Sequence, residues 1–337
     1  MKTKRLSLLF IFALLVIFNS CTKEQTEQTI DIPVKNEMLV FKTIEEYSAA
    51  IEKTIAFNHE ELVAWEDAQG FKSYGRICEE IYFSINFELF NSFDEIRDVV
   101  KKNNQYLTLV KDDNDEYVLE HFLYNNPSRY IINSDRMFQI KDNVYKVFEK
   151  AYAYTNIENI DELIRLNELN LTFNNDYPKI TIVNSNPNIE SKDAANNCGS
   201  GEKSKPSDND RDRIRLTIGA HQPPAGAGGW SVARCYYLIR PYKKILGIWY
   251  WVSGRTMRAS IKIALDYLTP GGWDRSILIK TYHDVYASKL EDEGVAWVYF
   301  GQTDYNLMVH FGSYDCWASS YSVGLHKPAE LKCGTLF

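Results

Sequence analysis

The chain has 337 residues, of which 45% are hydrophobic and 14% aromatic, so it is long enough for packed cores in two domains. Its net charge of -7 is unevenly spread: residues 211–337 carry 15 basic and 10 acidic side chains, and the residues before them carry 23 and 35. This composition excludes a wholly disordered chain, and no basic stripe suggests a nucleic-acid partner.

The first 20 residues have the pattern of a lipoprotein signal peptide. A basic start at residues 2–5 precedes an apolar run at residues 6–18, and Ser20 leads into Cys21. The run of about 13 residues is too short to cross a roughly 30 Å hydrocarbon core as a helix. We therefore expect cleavage before Cys21 and a lipid anchor on that cysteine. The alternative is an ordinary secretory signal, with Cys21 in a disulfide.

The residues around this cysteine resemble the signals of Bacteroidetes outer-membrane lipoproteins. Ser20-Cys21 is followed by Thr22, Lys23 and Glu24, and in that group charged residues after the cysteine direct the protein to the cell surface. The resemblance implies an outer-membrane lipoprotein held by its lipid and facing outwards. Residues 39–148, with Gly70-Phe71 and Asn133-Ser-Asp, are also similar to the N-terminal region of such surface lipoproteins.

Residues 21–38 are polar and predict a flexible tether, and residues 39–184 predict an acidic, helix-rich α+β domain. Helix-capping residues recur along this stretch, at Thr43, Asn58, Ser92 and Asn159. We expect a helix after each of them, and a further helix over residues 71–88.

Two β-rich runs, at residues 106–110 and 117–119, predict a hairpin closed by an acidic turn. Asp112, Asn114 and Glu116 alternate as at the start of a calcium loop, but the glycine and the distal glutamate of that loop are missing. We interpret the segment as a charged turn. A second hairpin is predicted at residues 138–147.

Residues 185–212 are polar and rich in glycine, proline and serine, which predicts a linker. From residue 213 onwards apolar residues alternate, as at Ile214, Leu216 and Ile218. Period-two patterning with glycine and proline turns predicts an antiparallel β-sandwich domain over residues 213–337.

Five cysteines remain after acylation of Cys21, and four lie in the last 140 residues. An exported compartment permits disulfides, so Cys316–Cys333 and Cys198–Cys235 are candidate bridges, although spacing leaves all three pairings of these four open. Cys78 lies in an apolar helical context and is predicted to be a buried free thiol. The spacing of these cysteines indicates neither a metal site nor a cofactor.

Six of the seven tryptophans lie in the predicted β domain. Trp249 and Trp251 flank Tyr250, so one side of that strand is expected to face the core. Trp230 and Trp273 stand beside glycines, where loops would expose them, and a flat indole can stack on a sugar. These two residues are the candidate ligand-binding residues.

The rival interpretation is a hydrolase acting on cell-envelope or polysaccharide material. The histidines considered for it are His221, His283, His310 and His326, with Asp284, Asp315 or Cys235 as the partner. Of these, His283 or His310 would be the acid–base residue. The chain lacks the G-x-S-x-G elbow, the H-E-x-x-H helix and the cysteine-protease signature of known hydrolases, and no catalytic residue is assigned. The sequence therefore predicts a non-catalytic surface protein whose C-terminal β domain binds an external glycan or protein.

Overall fold

The computed structural model describes residues 34–35, 38–112, 114–149, 151–168, 171, 178–184, 201–206, 211–221, 230–252, 256–269, 272–286, 292–302, 309–320 and 328–333, with many strand side chains beyond residue 200 left out. The predicted signal peptide, Cys21 and nearly all of the tether lie outside these residues. Within the described part, no helix is long and apolar enough to span a membrane.

Five α-helices are described, all before residue 170, and side-chain caps define the start of the first four. They are α1 (Ile44–Ala56), α2 (His59–Gln69), α3 (Tyr74–Ser84), α4 (Phe93–Lys102) and α5 (Ile160–Arg165). The predicted capping box at Asn58 is confirmed: the Asn58 side chain accepts from the Glu61 amide at 2.9 Å, and the Glu61 carboxylate accepts from the Asn58 amide at 2.8 Å.

The other predicted caps differ in detail. Thr43 accepts from the Glu46 amide, but the Glu46 carboxylate accepts from the Lys42 amide, one residue earlier than a capping box requires. Asn159 precedes α5 without a side-chain capping bond. The helix predicted over residues 71–88 is shorter, because the Ser73 hydroxyl caps α3 and a separate 3₁₀ turn forms at Phe87–Leu89.

The strands form three sheets. They are β1 (Val34–Lys35), β2 (Met38–Phe41), β3 (Leu107–Lys111), β4 (Tyr117–His121), β5 (Met137–Ile140), β6 (Asn143–Val147), β7 (Ala151–Asn156), β8 (Thr181–Asn184), β9 (Gly201–Pro206), β10 (Asp212–His221), β11 (Trp230–Ile245), β12 (Ile248–Trp251), β13 (Thr256–Thr269), β14 (Gly272–Tyr286), β15 (Asp292–Gln302), β16 (Val309–Ser320) and β17 (Ala329–Cys333).

The first sheet has the order β1-β2-β5-β6-β7-β8 and is buried on both faces. All neighbours are antiparallel except β2 and β5. Alternate residues divide between two cores, as the pleat requires. Phe138 and Tyr145 pack in the core that includes residues of α1–α3, whereas Met137 and Val144 pack in the core that includes Leu163 of α5.

The second sheet crosses the predicted domain boundary. Its order is β3-β4-β12-β11-β10-β9, and β15 pairs with the first part of β11. The predicted β3–β4 hairpin is confirmed, but β4 pairs in parallel with β12, more than 120 residues later. Residues 32–337 form one compact unit. The β4–β12 pairing thus joins strands from both predicted domains, 39–184 and 213–337, in one sheet.

The predicted linker at residues 185–212 is also partly strand. Residues 201–206 form β9, which pairs with β10 in antiparallel register from Gly201↔Ile218 to Pro206↔Arg213. A polar composition predicted a linker here because it has little to bury, but an edge strand needs only backbone hydrogen bonds on one side.

The third sheet, of order β14-β13-β16-β17, is antiparallel throughout. Ile261 and Ile263 of β13 are fully buried, and so are Ile214 and Leu216 of β10 in the second sheet. The α+β class is confirmed, with helices in the N-terminal half and strands dominating the rest.

The cysteines correct one prediction and confirm another. Cys78 is a buried free thiol as predicted, and burial raises its pKa to about 12. Cys316 is also free and buried, with its thiol donating to the Lys262 carbonyl at 3.5 Å, whereas Cys333 is disulfide-bonded. The Cys316–Cys333 bridge is therefore wrong: Cys316 lies opposite Leu331, so Cys333 is only its diagonal neighbour. The Cys198–Cys235 pairing lies outside the described side chains.

Lys146 of β6 allows the packing of the first sheet to be tested through the pH dependence of stability. Its ammonium is buried and donates to the Ile164 carbonyl at 2.8 Å. Burial lowers its pKa to about 8, and the nearby Arg136 acts in the same direction. An unfolded lysine has a pKa of about 10.4, so between about pH 8 and 10 the unfolded chain binds more protons, and stability should rise with pH.

We expect the free energy of unfolding of the native chain, minus that of Lys146→Met, to be constant below about pH 7 and to increase between about pH 8 and 10. Urea denaturation across this range measures it, and subtraction of the variant cancels other groups that titrate. A difference independent of pH would show that the ammonium is not desolvated.

Candidate functional site

A buried carboxylate, that of Glu120 on β4, lies at the centre of the second sheet. Its Oε1 accepts from Arg215 Nη1 at 2.7 Å and from the Tyr242 hydroxyl, and its Oε2 accepts from Arg240 Nη1 at 2.5 Å. Glu120 is fully buried, and both arginines are almost fully buried. Arg215 and Arg240 are direct cross-strand partners on β10 and β11. Two like charges in that position repel each other. The negative charge of the carboxylate between them offsets this repulsion.

A second ion pair continues the same face towards the β3–β4 turn. Arg213 donates to Asp112 and, at 3.3 Å, to Glu116, and its guanidinium lies 3.9 Å from the ring centre of Trp249. The Trp249 indole N–H donates to Glu116 at 2.8 Å. Lys244 also reaches Glu116 at 2.8 Å. Asp112 and Glu116, predicted to form only a charged turn, therefore hold β10 and β11.

His121 completes this ionic cluster, which we define by Asp112, Glu116, Glu120, His121, Arg213, Arg215 and Arg240. Arg240 Nη2 lies 3.0 Å from His121 Nε2, and His121 Nδ1 lies 3.2 Å from the Phe122 carbonyl oxygen. A guanidinium only donates, so Nε2 accepts and the proton is on Nδ1, which donates to the carbonyl. His121 is thus held in one neutral tautomer.

Strand periodicity explains why these groups meet. On β10 the arginines alternate with Ile214 and Leu216, and the register places Arg213 opposite Tyr242 and Arg215 opposite Arg240. Glu116, directly before β4, and Glu120 on β4 are four residues apart, so they lie on the same side of the chain. The charged face of β10 is buried, not solvent-exposed, because the β3–β4 hairpin supplies its counter-charges.

The chemistry of the ionic cluster is that of a fixed scaffold. Both oxygens of Glu120 accept hydrogen bonds, and His121 uses both ring nitrogens. Burial and the Glu120 charge raise the pKa of the Tyr242 hydroxyl, which therefore stays protonated and donates. These groups lie inside the protein and are engaged with one another, so they hold two chain halves together.

An aromatic groove opens beside the ionic cluster. It has a volume of about 310 Å³ and lies between the end of α3, the Phe87–Leu89 turn and the end of β12. Five aromatic rings line it and define it here: Tyr82, Phe83, Phe87, Tyr250 and Trp251.

Contacts from both chain halves fix the aromatic groove. The Trp251 amide donates to the Tyr82 hydroxyl at 2.5 Å, and the Tyr250 and Phe87 ring centres lie 5.0 Å apart. Arg240 of the ionic cluster stands 4.6 Å from the Trp251 ring centre. Four of the five rings are buried, but Phe83 is 45% exposed and nearby Leu89 is 72% exposed. The groove is thus preformed and presents the ring of Phe83 to solvent.

A second cavity, of about 620 Å³, brings together the two motifs that carry the resemblance. Gly70-Phe71 and Asn133-Ser134 line it with Asp67 and Lys72. Two of its polar side chains are engaged: Asn133 Oδ1 accepts from the amides of residues 135 and 137, and Lys72 pairs with Glu80 at 2.5 Å. Gly70 itself is needed for the left-handed end of α2, with φ of 62°.

The predicted ligand-binding residues are not in loops. Trp230 begins β11 opposite Gln302, and Trp273 lies in β14 opposite Leu268. Their side chains lie outside the described part of the structure. Trp249 and Trp251, expected on a strand with one side inwards, are both fully buried, as is most of Tyr250.

The acid–base candidates of the rival hydrolase interpretation lie on two strands of the third sheet. His283 and Asp284 are in β14, and the backbone register places His310 of β16 opposite Asp266. The Asp266 carboxylate is bound on both oxygens by Arg275, at 2.5 and 2.8 Å. Asp315 is an exposed partner of Lys332 at 3.7 Å. The side chains of His283 and His310 are not among those described.

Sequence patterns missed His121, Glu120 and the arginines as one cluster. The available signal was the match between a strand with alternating arginines and a hairpin with glutamates at positions 116 and 120. The arginines of the strand do not indicate the glutamates of the hairpin, or the reverse, because about 95 residues separate them.

Comparisons with known proteins give one distant structural neighbour. No protein-family model and no curated protein matches the chain. Among solved structures, the chain is similar to a DUF4848 family protein from Bacteroides thetaiotaomicron, with 15% identity, coverage of 89% of this chain and 98% of that chain, and a TM-score of 0.29. A TM-score this low does not establish a shared fold.

The ionic cluster predicts a large effect of one isosteric change. Glu120→Gln keeps the shape of the side chain but removes the negative charge that Arg215 and Arg240 share, which should cost about 3–5 kcal/mol of unfolding free energy. Urea denaturation measures it. Glu158→Gln, on an exposed glutamate, is the matched control and should change stability by less than about 0.5 kcal/mol. Equal, small effects of both changes would contradict a structural role for the cluster.

Proposed function

We propose that this chain is a lipid-anchored protein of the bacterial outer membrane that binds an external ligand at its surface without chemical conversion. Cys21 is the proposed lipidation site, and the aromatic groove is the proposed ligand site. In this proposal the strands of residues 213–337 form the predicted antiparallel β-sandwich, and the buried side chains of β10 and β13 support it. The groove uses β12, from the predicted binding half, together with α3.

The observation that carries the binding proposal is the exposure of Phe83 above four buried rings. A phenyl ring that is 45% exposed within an aromatic cavity of about 310 Å³ leaves apolar area uncovered next to a fixed floor. Binding pockets are concave, largely apolar and preformed, and their volumes begin near 300 Å³. The ring contacts given above show how the floor is held before any ligand arrives.

The ionic cluster supplies no acid or base to this groove. General acid–base catalysis needs a titratable group within reach of substrate. Glu120 and His121 are fully buried, and their polar atoms are engaged inside the protein. The groove is adjacent to them through Trp251, whose ring both lines the cavity and lies beside Arg240.

The lipid anchor is tested by Cys21→Ser. We expect the native chain expressed in a Bacteroidetes host to incorporate an alkyne-labelled palmitate and to fractionate with outer membranes, because acyl chains anchor it. Cys21→Ser should incorporate none. Protease treatment of intact cells then reports whether the protein faces the medium. Equal labelling of both proteins, or mature protein starting at another residue, would overturn the anchor.

The binding site is tested by ligand-observed NMR of the full-length protein in detergent. The probes are a mixture of small rings: neutral sugars, aromatic amides and indole. We expect at least one ring to bind and Phe83→Ala to abolish its signal, because the exposed phenyl ring is removed. Leu246→Ala, also an exposed apolar residue at 41%, is the matched control and should retain binding. Binding of no ring, or equal binding by both variants, would contradict the proposed site.

A further inference from the structure

The rim of the aromatic groove carries polar groups with a definite arrangement. The Asn86 side-chain oxygen, Oδ1, accepts from the Glu88 amide at 3.1 Å and thereby caps the 3₁₀ turn. This bond directs the acceptor half of the amide at the backbone, so the two N–H groups are the part of Asn86 available as donors. Asn86 is an exposed lining residue of the groove.

Charges at this rim are balanced. The Glu88 carboxylate lies 3.4 Å from the Lys243 ammonium, and their side chains are 70% and 43% exposed. An anionic ligand would meet Glu88, and a cationic ligand would meet Lys243, so the pair favours a ligand without net charge. A ligand with hydroxyl groups can accept from Lys243 and donate to Glu88 without breaking the pair.

One ligand must match both the aromatic rings of the groove and the polar groups at its rim. An apolar ligand covering the rim would leave Asn86 and Glu88 desolvated without hydrogen bonds, which is costly. A small polar ion would leave the phenyl ring of Phe83 uncovered. A sugar ring has an apolar C–H face and a hydroxyl edge, and so fits both. A cavity of about 310 Å³ takes a single ring, not a long chain.

We propose that the aromatic groove binds one uncharged pyranose unit of an external carbohydrate, with its C–H face on Phe83 and its hydroxyls on Asn86 and Glu88. This inference rests on the proposed function, because it names the ligand class of the same site. An aromatic or aliphatic side chain of a protein partner is the competing occupant.

The test is isothermal titration of the full-length protein in detergent with three sets of probes. The first set contains methyl glycosides and trisaccharides of glucose, galactose and mannose. The second contains glucuronic acid and glucosamine, which carry charge. The third is N-acetyl-phenylalanine amide, which stands for a protein side chain. We expect the neutral sugars to bind at least about 10-fold more tightly than the charged sugars or the amide.

Two variants test the apolar contact with Phe83 and the hydrogen bonds from Asn86 separately. Phe83→Ala should weaken sugar binding about 10-fold or more. Asn86→Asp keeps the cap on the 3₁₀ turn, since a carboxylate also accepts from the Glu88 amide, but it removes the N–H donors. It should weaken sugar binding about 10-fold and leave the thermal unfolding midpoint unchanged. Leu246→Ala should alter neither sugar binding nor the thermal unfolding midpoint.

The outcomes distinguish the two proposals. Binding of the amide alone, lost in Phe83→Ala, would overturn the sugar inference and retain a ligand site at the groove. Sugar binding that is unaffected by Phe83→Ala and Asn86→Asp would place the sugar-binding site outside the aromatic groove and overturn the inference. If no probe binds the native protein, both the sugar inference and the binding proposal fail.

Discussion

Two arginines, Arg215 and Arg240, lie directly opposite each other inside the second sheet, and the carboxylate of Glu120 lies between them. Burying three charges is costly, and their hydrogen bonds to one another and to neighbouring groups offset that cost. The arginines come from β10 and β11, and the carboxylate comes from β4. The interaction is satisfied only when the N-terminal hairpin docks on the C-terminal strands, so it imposes one arrangement of the two halves. The parallel pairing of β4 with β12 and the position of Trp251 follow from it.

The aromatic groove depends on that docking. Tyr82, Phe83 and Phe87 precede the hairpin in sequence, whereas Tyr250 and Trp251 come about 165 residues later. Each half alone would have an incomplete wall. The proposed binding site is therefore a property of the joined unit and not of a separate C-terminal module. Its polar rim is built in the same way, with Asn86 and Glu88 from one half and Lys243 from the other.

Local features were accessible from the sequence, and the long-range ones were not. The cap at Asn58 and the β3–β4 hairpin depend on residues a few positions apart, so their patterns predicted them. The polar run before β10 predicted a linker, but β9 forms within it, because an edge strand pairs through its backbone and needs no apolar side chains. No local pattern indicated that Arg213 and Arg215 would be buried, because their counter-charges come from the β3–β4 hairpin. Trp230 and Trp273 were favoured as ligand-binding residues through their glycine neighbours, which indicate turns but do not identify a cavity.

The central claim is that the ionic cluster makes residues 32–337 one cooperative unit. Native-state hydrogen exchange with increasing urea, followed by mass spectrometry, tests it on two peptides. One covers β5 and β6 at residues 137–147, and the other covers β13 at residues 256–269. Global opening of one unit predicts that both peptides reach the same opening free energy and the same dependence on urea. Two distinct opening energies, with residues 256–269 protected after residues 137–147 have exchanged, would contradict the account.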